Sequence, residues 1–312
     1  MKFKNSIWTF IIFFIIVYAI LVFLGDINSI KKNIEKFDWK YLLFAVGFFS
    51  IAIGVRIMRW NFWFEKIGPN VPFKIRTIFY LSGYAFLMSP ARIGEAIRSY
   101  FIKRDYEITQ SRTVPLVLVE RFYDLVGFVI LISIAIIFVP HFRSTLVILL
   151  SFITIAFILS QNKKLITKIL SKLSKIKFLS KFAPNAEESA NTLYEMLHVS
   201  TFIRSSLISA LSVFLDILGA FMIILGVGID IDLPRSILVI SSSVVVGALS
   251  FIPGGLGVQE GGMIGLLKLY GIEYSKSFVF VTLYRISYSV LLVSIGLTTL
   301  RIIANKKAEV ES

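Results

Sequence analysis

Three stretches of this chain run without a charged side chain for about the thickness of a bilayer, and this restricts the fold more than any other feature. Asn5 to Gly25 is 21 residues, Ser144 to Asn162 is 19 and Ser236 to Gln259 is 24. Roughly 20 apolar residues cross the hydrocarbon as an α-helix. The rest of the chain agrees, with 56% apolar and 17% charged residues against roughly 45–50% and about 25% in ordinary globular domains. An all-α polytopic membrane protein is expected, and a soluble enzyme is excluded.

Six full crossings are expected, at about 5–25, 39–60, 112–139, 144–160, 201–226 and 276–302. The first follows Lys2 and Lys4 but exceeds the apolar length of a signal peptide and lacks a small-residue cleavage site, so a retained helix is expected. The second runs from Trp39 to Trp60, about 31 Å at 1.5 Å per residue, with an indole at each interface. All four tryptophans lie between Trp8 and Trp63, as belt anchors would. Pro140 marks the turn between the third and fourth crossings.

The net charge is +14, and seven lysines with no acid lie between Lys163 and Lys181. The positive-inside rule makes 161–199 a basic cytoplasmic loop. Counting outward puts Lys66–Arg76, Lys103–Arg112, Arg301, Lys306 and Lys307 on the same side, with both termini cytoplasmic in a cell membrane protein. The loop's charge serves topology in the simplest reading and anionic-lipid contact in the functional one. Nucleic acid is not an expected partner, because only Phe178 and Phe182 interleave with the lysines. On the opposite side, 27–40 is mixed in sign and reads as an amphipathic surface helix.

Two further apolar stretches, about 75–104 and 236–270, are broken by Pro90 and Pro253, each followed by glycine and charge. Broken backbone at membrane depth is tolerated only when buried in protein or lining a wet cavity, so both are expected to be re-entrant helical hairpins. They open an internal repeat, about 75–139 and 236–302, within a single membrane domain of 1–312. Ile108, Ser111, Val117, Arg121, Val126 and Val129 recur as Ile272, Ser275, Val281, Arg285, Val290 and Val293 at a constant offset, and Pro90-Ala-Arg-Ile-Gly94 faces Pro253-Gly-Gly-Leu-Gly257. By the crossing count the two helices run in opposite senses, so the repeat is inverted, as in many transporters.

Ionisable groups inside a membrane cost roughly 2.5–3.5 kcal/mol each and are functional candidates by default. Arg92, Glu95 and Arg98 are spaced by three and are expected on one face of a helix starting after Pro90. Glu120 and Asp124 share a face of the next helix, with Arg121 between them. The second half supplies Gln259, Glu260, Tyr284, Arg285 and Tyr288, and Asp216 stands alone in its crossing. Gly254, Gly255 and Gly257 allow close backbone approach at a helix start and are expected to seat an anion. Together these residues describe a lipid-headgroup site in which Arg92, Arg98, Arg121 and Arg285 bind phosphate with the glycines and Gln259. Glu95, Glu120, Asp124, Glu260 and Asp216 act there as counter-ions or proton carriers. The structural alternative is buried ion pairs that lock the hairpins. Arg56 and Arg59 are secondary, with Tyr284 and Tyr288, because snorkelling beside Trp60 explains the arginines equally well.

The chain has no cysteine and only His141 and His198, so thiolate metal sites, a cysteine nucleophile and a histidine triad are not expected. No GxSxG or phosphate-cradling GxxxxGK[ST] occurs. No metal or cofactor is expected.

SPARIGEAIRSYFI, VERFYDL, SFIPGGLGVQEGG and TLYRISY resemble motifs of the flippase-like transmembrane region of the lysylphosphatidylglycerol synthase family, in an order covering roughly residues 5–303. The resemblance implies a central cavity around Arg92, Glu95, Glu120, Arg121, Asp124, Gly254 to Gly257, Glu260 and Arg285. It also implies the translocating region without the soluble synthase domain, so the lysylated lipid does not carry over as substrate. The function expected is a lipid flippase, not an enzyme, that moves an anionic membrane lipid or polyprenyl phosphate. The alternatives are an intramembrane lipid-modifying transferase using Glu120 or Asp124 as base, and a non-transporting partner of a cell-envelope biosynthetic enzyme.

Overall fold

Helices form where the chain is apolar or amphipathic, and they stop where proline or a capping side chain interrupts the hydrogen-bond ladder. The computed structural model describes residues 25–68, 70–87, 89–139, 151, 154, 155, 157, 158, 161–173 and 185–311. The helices are α1 (Ile27–Glu35), α2 (Lys40–Ile67), α3 (Phe73–Ser82), α4 (Ile97–Tyr106), α5 (Gln110–Thr113), α6 (Pro115–Phe138), α7 (Lys163–Leu173), α8 (Ala186–Leu197), α9 (Val199–Val227), α10 (Leu233–Leu249), α11 (Val258–Leu269) and α12 (Tyr274–Glu311). Among the described residues, four helices are long and apolar enough to cross a membrane: Lys40–Ile67, Gln110–Phe138, Val199–Val227 and Tyr274–Asn305. They coincide with four of the six expected crossings. The expected crossings at 5–25 and 144–160, with Pro140, lie almost wholly outside the described residues.

Caps explain several helix starts. Asp26 accepts from the amides of Asn28 at 3.2 Å and Ser29 at 3.1 Å to open α1, and the Ser29 hydroxyl and these amides hold its carboxyl below the ordinary range. Asn185 accepts from Glu187 and Glu188 amides, both at 3.1 Å, to open α8. Both use the side-chain acceptor that a bare helix N-terminus needs. The stretch 161–199 is therefore not simply a loop: its described residues hold α7 and α8, which pack through Ile166 against Ala190, Leu193 and Tyr194.

Both proline-broken stretches have the same order of elements. In the first, α3 leads through 3-10 turns at Gly83–Phe86 and Pro90–Ala96 into α4. In the second, α10 leads through a 3-10 turn at Pro253–Gly255 into α11. Each is followed by a membrane-length helix carrying the matched arginine. Gly255 is left-handed at φ 65°, and so is Arg92, its counterpart in the first break, at φ 54°. The α-helix therefore begins at Ile97, not directly after Pro90. Because Arg92 is left-handed, Arg92, Glu95 and Arg98 do not share one continuous α-helical face.

The described chain groups into two compact units, one of residues 25–50, 89–92 and 215–291, the other of 51–87, 93–214 and 292–311. In the first unit the buried core includes Ala45, Phe49, Ile217, Ile240, Met263 and Phe280; in the second it includes Trp60, Trp63, Phe64, Tyr80, Ile102 and Tyr123. Trp60 and Trp63 are completely buried, so they are not belt anchors. Their indole N–H groups donate to Arg76 O at 3.1 Å and Ser205 Oγ at 2.8 Å, which removes the reason to sit at the membrane surface. Trp39 is exposed, as an anchor requires.

In the second unit α12 presses on the turn at Gly83–Phe86. A Cβ at Gly296 would stand 2.1 Å from Ala85 N and 2.6 Å from Tyr84 C, and backbone cannot step aside as a side chain can. Gly296→Ala is expected to lower the thermal midpoint in detergent despite alanine's better helix propensity, as overpacking costs about 1–3 kcal/mol. Gly265→Ala, facing open space, should leave it unchanged or raised. Equal midpoints for the two variants would contradict the close approach.

Candidate functional site

The second unit gathers an ion-pair cluster from four elements. α2 supplies Arg59, the 3-10 turn after Pro90 supplies Glu95, α4 supplies Arg98, and α6 supplies Glu120, Arg121 and Asp124. The spacing of Glu120 and Asp124 by four puts both on the face of α6 that meets these elements. Arg98 Nη2 lies 2.5 Å from Glu120 Oε2 and 3.4 Å from Glu95 Oε2. Arg121 Nη2 reaches Glu95 and Glu120, each at 3.2 Å, and its Nη1 reaches Asp124 at 3.1 Å. Arg59 pairs with Asp124 at 2.8 Å, lies 3.6 Å from Glu120 and donates to Ser209 Oγ at 2.5 Å.

Aromatic rings close the cluster. The Arg98 guanidinium lies 4.7 Å from the Trp60 ring and 5.1 Å from the Tyr80 ring, and Arg59 lies 5.0 Å from Trp63. Tyr80 donates to Glu120 Oε1 at 2.7 Å. Three arginines and three carboxylates thus compensate one another, as burial in low dielectric demands. The Nε groups of Arg59, Arg98 and Arg121 are buried without a hydrogen-bond partner among the described residues. Arg98→Lys keeps the charge but loses the planar fork and both ring faces, so a cost of about 1–3 kcal/mol is expected in unfolding measurements. A lysine variant as stable as the parent would show that charge alone matters there.

Two placements correct the sequence expectations. Arg56 and Arg59 do not snorkel: they are 7% and 1% exposed, and Arg59 is a full member of the cluster. The reason is that acids on α6 offer a partner at depth, which costs less than reaching for water. Tyr80 and Ser209 were not anticipated, since nothing in sequence links either to an acid or arginine 40 and 150 positions away.

The first unit contains a second, smaller arrangement. Arg285 on α12 donates from Nε to Glu260 Oε1 at 2.6 Å, from Nη1 to Gln259 Oε1 at 2.9 Å and from Nη2 to the Gly254 carbonyl at 2.6 Å. Glu260 is fully buried and accepts from the Gly257 amide at 2.7 Å. The Gly257 amide is therefore occupied, so the glycine turn is not the open anion seat expected for Gly254, Gly255 and Gly257. Separately, Tyr288 donates to Asp216 at 3.4 Å and stacks on Tyr284 at 5.9 Å. Arg92 is half-buried and its amide donates to Ser89 O at 2.9 Å.

The matched arginines do the same work in their own units. Arg121 holds Glu95, three residues after the left-handed Arg92; Arg285 holds Glu260 and the glycine turn itself. Among the described residues, no group of three His, Cys, Asp or Glu is arranged to hold a metal ion.

The family model described as "Lysylphosphatidylglycerol synthase TM region" matches residues 10–296. The chain is similar to a UPF0104 membrane protein of Methanothermobacter thermautotrophicus, at 26% identity over 83% of this chain and 81% of the relative. It is also similar to one of Pyrococcus horikoshii, at 26% over 81% and 84%. A third, from Methanocaldococcus jannaschii, is 24% identical over 97% and 96%.

Proposed function

The chain belongs to the lysylphosphatidylglycerol synthase transmembrane family, and from that premise we propose that it moves an anionic-headed lipid, a phospholipid or a polyprenyl-phosphate-linked lipid, between leaflets of the cell membrane. The observation that carries this reading is the pair of proline-broken helices, each held by the matched arginine of the membrane-length helix that follows: Arg121 on Glu95, Arg285 on Glu260 and Gly254. Interrupted helices with charged groups at membrane depth are a recurrent device for passing polar cargo.

In this reading the two segments form an inverted repeat of re-entrant hairpins, and both termini are cytoplasmic. The headgroup passes over polar surface supplied by the breaks while its tails stay in the bilayer. Arg92, Arg98, Arg121 and Arg285 hold phosphate in turn. Glu95, Glu120, Asp124, Glu260 and Asp216 take the arginines back, or carry protons, as the cargo leaves. The transferase alternative is less well supported, because Glu120 and Asp124 are engaged by arginines instead of being offered to a substrate hydroxyl.

The test is a leaflet assay. Purified protein in liposomes with a fluorescent phosphatidylglycerol is expected to expose inner-leaflet label to dithionite; a parallel assay uses an enzyme that modifies only outer-leaflet polyprenyl phosphate. Folded protein that leaves both lipids as protected as in empty liposomes would defeat the proposal.

A further inference from the structure

We infer that α7 is a docking surface for the anionic headgroups of the leaflet against which it lies, a contact separate from any lipid the protein moves. The chain places α7 at that surface. Ile155 and Ile158, in the apolar helical stretch just before it, are 57% and 62% exposed, as lipid-facing residues are. The Phe157 ring lies 4.2 Å from that of Phe202 near the start of α9, and Gln161 donates to Leu197 O at 2.9 Å. Asn162 then caps α7 by accepting from the Leu165 amide at 3.1 Å. The partner helix α8 ends at Leu197, and the membrane-length α9 begins at Val199. Both ends of the α7–α8 pair are thus fixed at the mouth of one crossing.

The pair is not loosely tethered. Ser189 donates to Ser111 O at 3.0 Å, the Asn185 amide donates to Ser111 Oγ at 3.0 Å, and Tyr123 donates to Met196 O at 2.7 Å, which binds α8 to α5 and α6. Ile166 of α7 is buried against α8. Lys164, Lys168 and Lys172 are exposed and spaced by four, so they form a stripe within about 80° of arc; Ile169, 48% exposed, lies about 60° beyond it towards the buried face.

Among the described residues none of these three lysines makes an ion pair, and α7 contains no acid. A held helix with an uncompensated cationic stripe flanked by an exposed aliphatic has the charge complement of an anionic bilayer surface. Topology alone requires lysines on this side; it does not require them in register on a packed helix.

The chain has no cysteine, so Ile169→Cys labels at one position. A bimane there should be open to acrylamide quenching in phosphatidylcholine nanodiscs and shielded when phosphatidylglycerol is included. Near 1 M salt, where the screening length falls to about 3 Å, shielding should be lost. Each lysine is expected to contribute roughly a fivefold preference for the anionic surface, about a hundredfold together. K164Q/K168Q/K172Q should abolish the difference between discs, and the corresponding arginine triple should retain it. Equal quenching in both discs, equal shielding already in pure phosphatidylcholine, or shielding retained by the glutamine triple would overturn the inference. None of these outcomes depends on lipid movement.

Discussion

Arg285→Ala should be among the most destabilising single substitutions in the described chain, at about 3–5 kcal/mol, because it strands a buried carboxylate. Glu260 is fully buried, and Arg285 is its ion-pair partner at 2.6 Å among the described residues. The same side chain also serves Gln259 and the Gly254 carbonyl, so its loss frees three acceptors in a turn whose residues at 254, 255 and 257 all have positive φ. Glu260→Gln added to Arg285→Ala should recover much of the loss: the stranded charge disappears, while the amide oxygen still accepts from Gly257 N. Unfolding of the parent, both single variants and the double variant in detergent measures the coupling directly. A small Arg285→Ala effect with no rescue would mean that water or lipid compensates Glu260, and that the turn is not held by this arginine.

The crossings at 39–60, 112–139, 201–226 and 276–302 were legible because length and apolar content are enough to specify a membrane helix, whatever it packs against. The two breaks were legible because proline after an apolar run leaves the ladder few alternatives. Depth was not. Arg59 near the end of an apolar helix has the same local sequence whether it snorkels or pairs inward, and its partners Asp124 and Ser209 lie 65 and 150 positions on. Trp60 and Trp63 misled for the same reason: an indole suits an interface or a core equally, and only the acceptors Arg76 O and Ser205 Oγ decide. In 161–199, lysine content obscured two helices whose caps, Asn162 and Asn185 with its following acids, were present in the sequence. At the glycine turn, the amides of a helix start were legible, but that Glu260 turns back on Gly257 was not.

Arg92→Gly is expected to separate stability from function. A non-glycine residue held left-handed costs about 1–2 kcal/mol, and at the corresponding place in the second break the chain uses Gly255, with φ 65° against 54° at Arg92. Glycine at 92 relieves that strain but adds about 0.5–1 kcal/mol of unfolded-state entropy. On backbone terms alone the change is therefore neutral to favourable, by up to about 1.5 kcal/mol, and the interactions of the Arg92 side chain stand against that gain. A strained residue kept where a relaxed one fits points to what its side chain does. On the proposal that Arg92 binds the lipid phosphate, Arg92→Gly should reduce lipid movement by tenfold or more, the loss of one charge-assisted contact of about 1.5–3 kcal/mol, while the thermal midpoint reads the balance between relieved strain and lost side-chain interactions. Arg92→Ala keeps a Cβ at positive φ and removes the guanidinium, so it should lose transport without gaining stability. Transport unchanged in Arg92→Gly would place the phosphate contact elsewhere. A midpoint that falls would mean that the guanidinium holds the break in place, a structural role like that of Arg285.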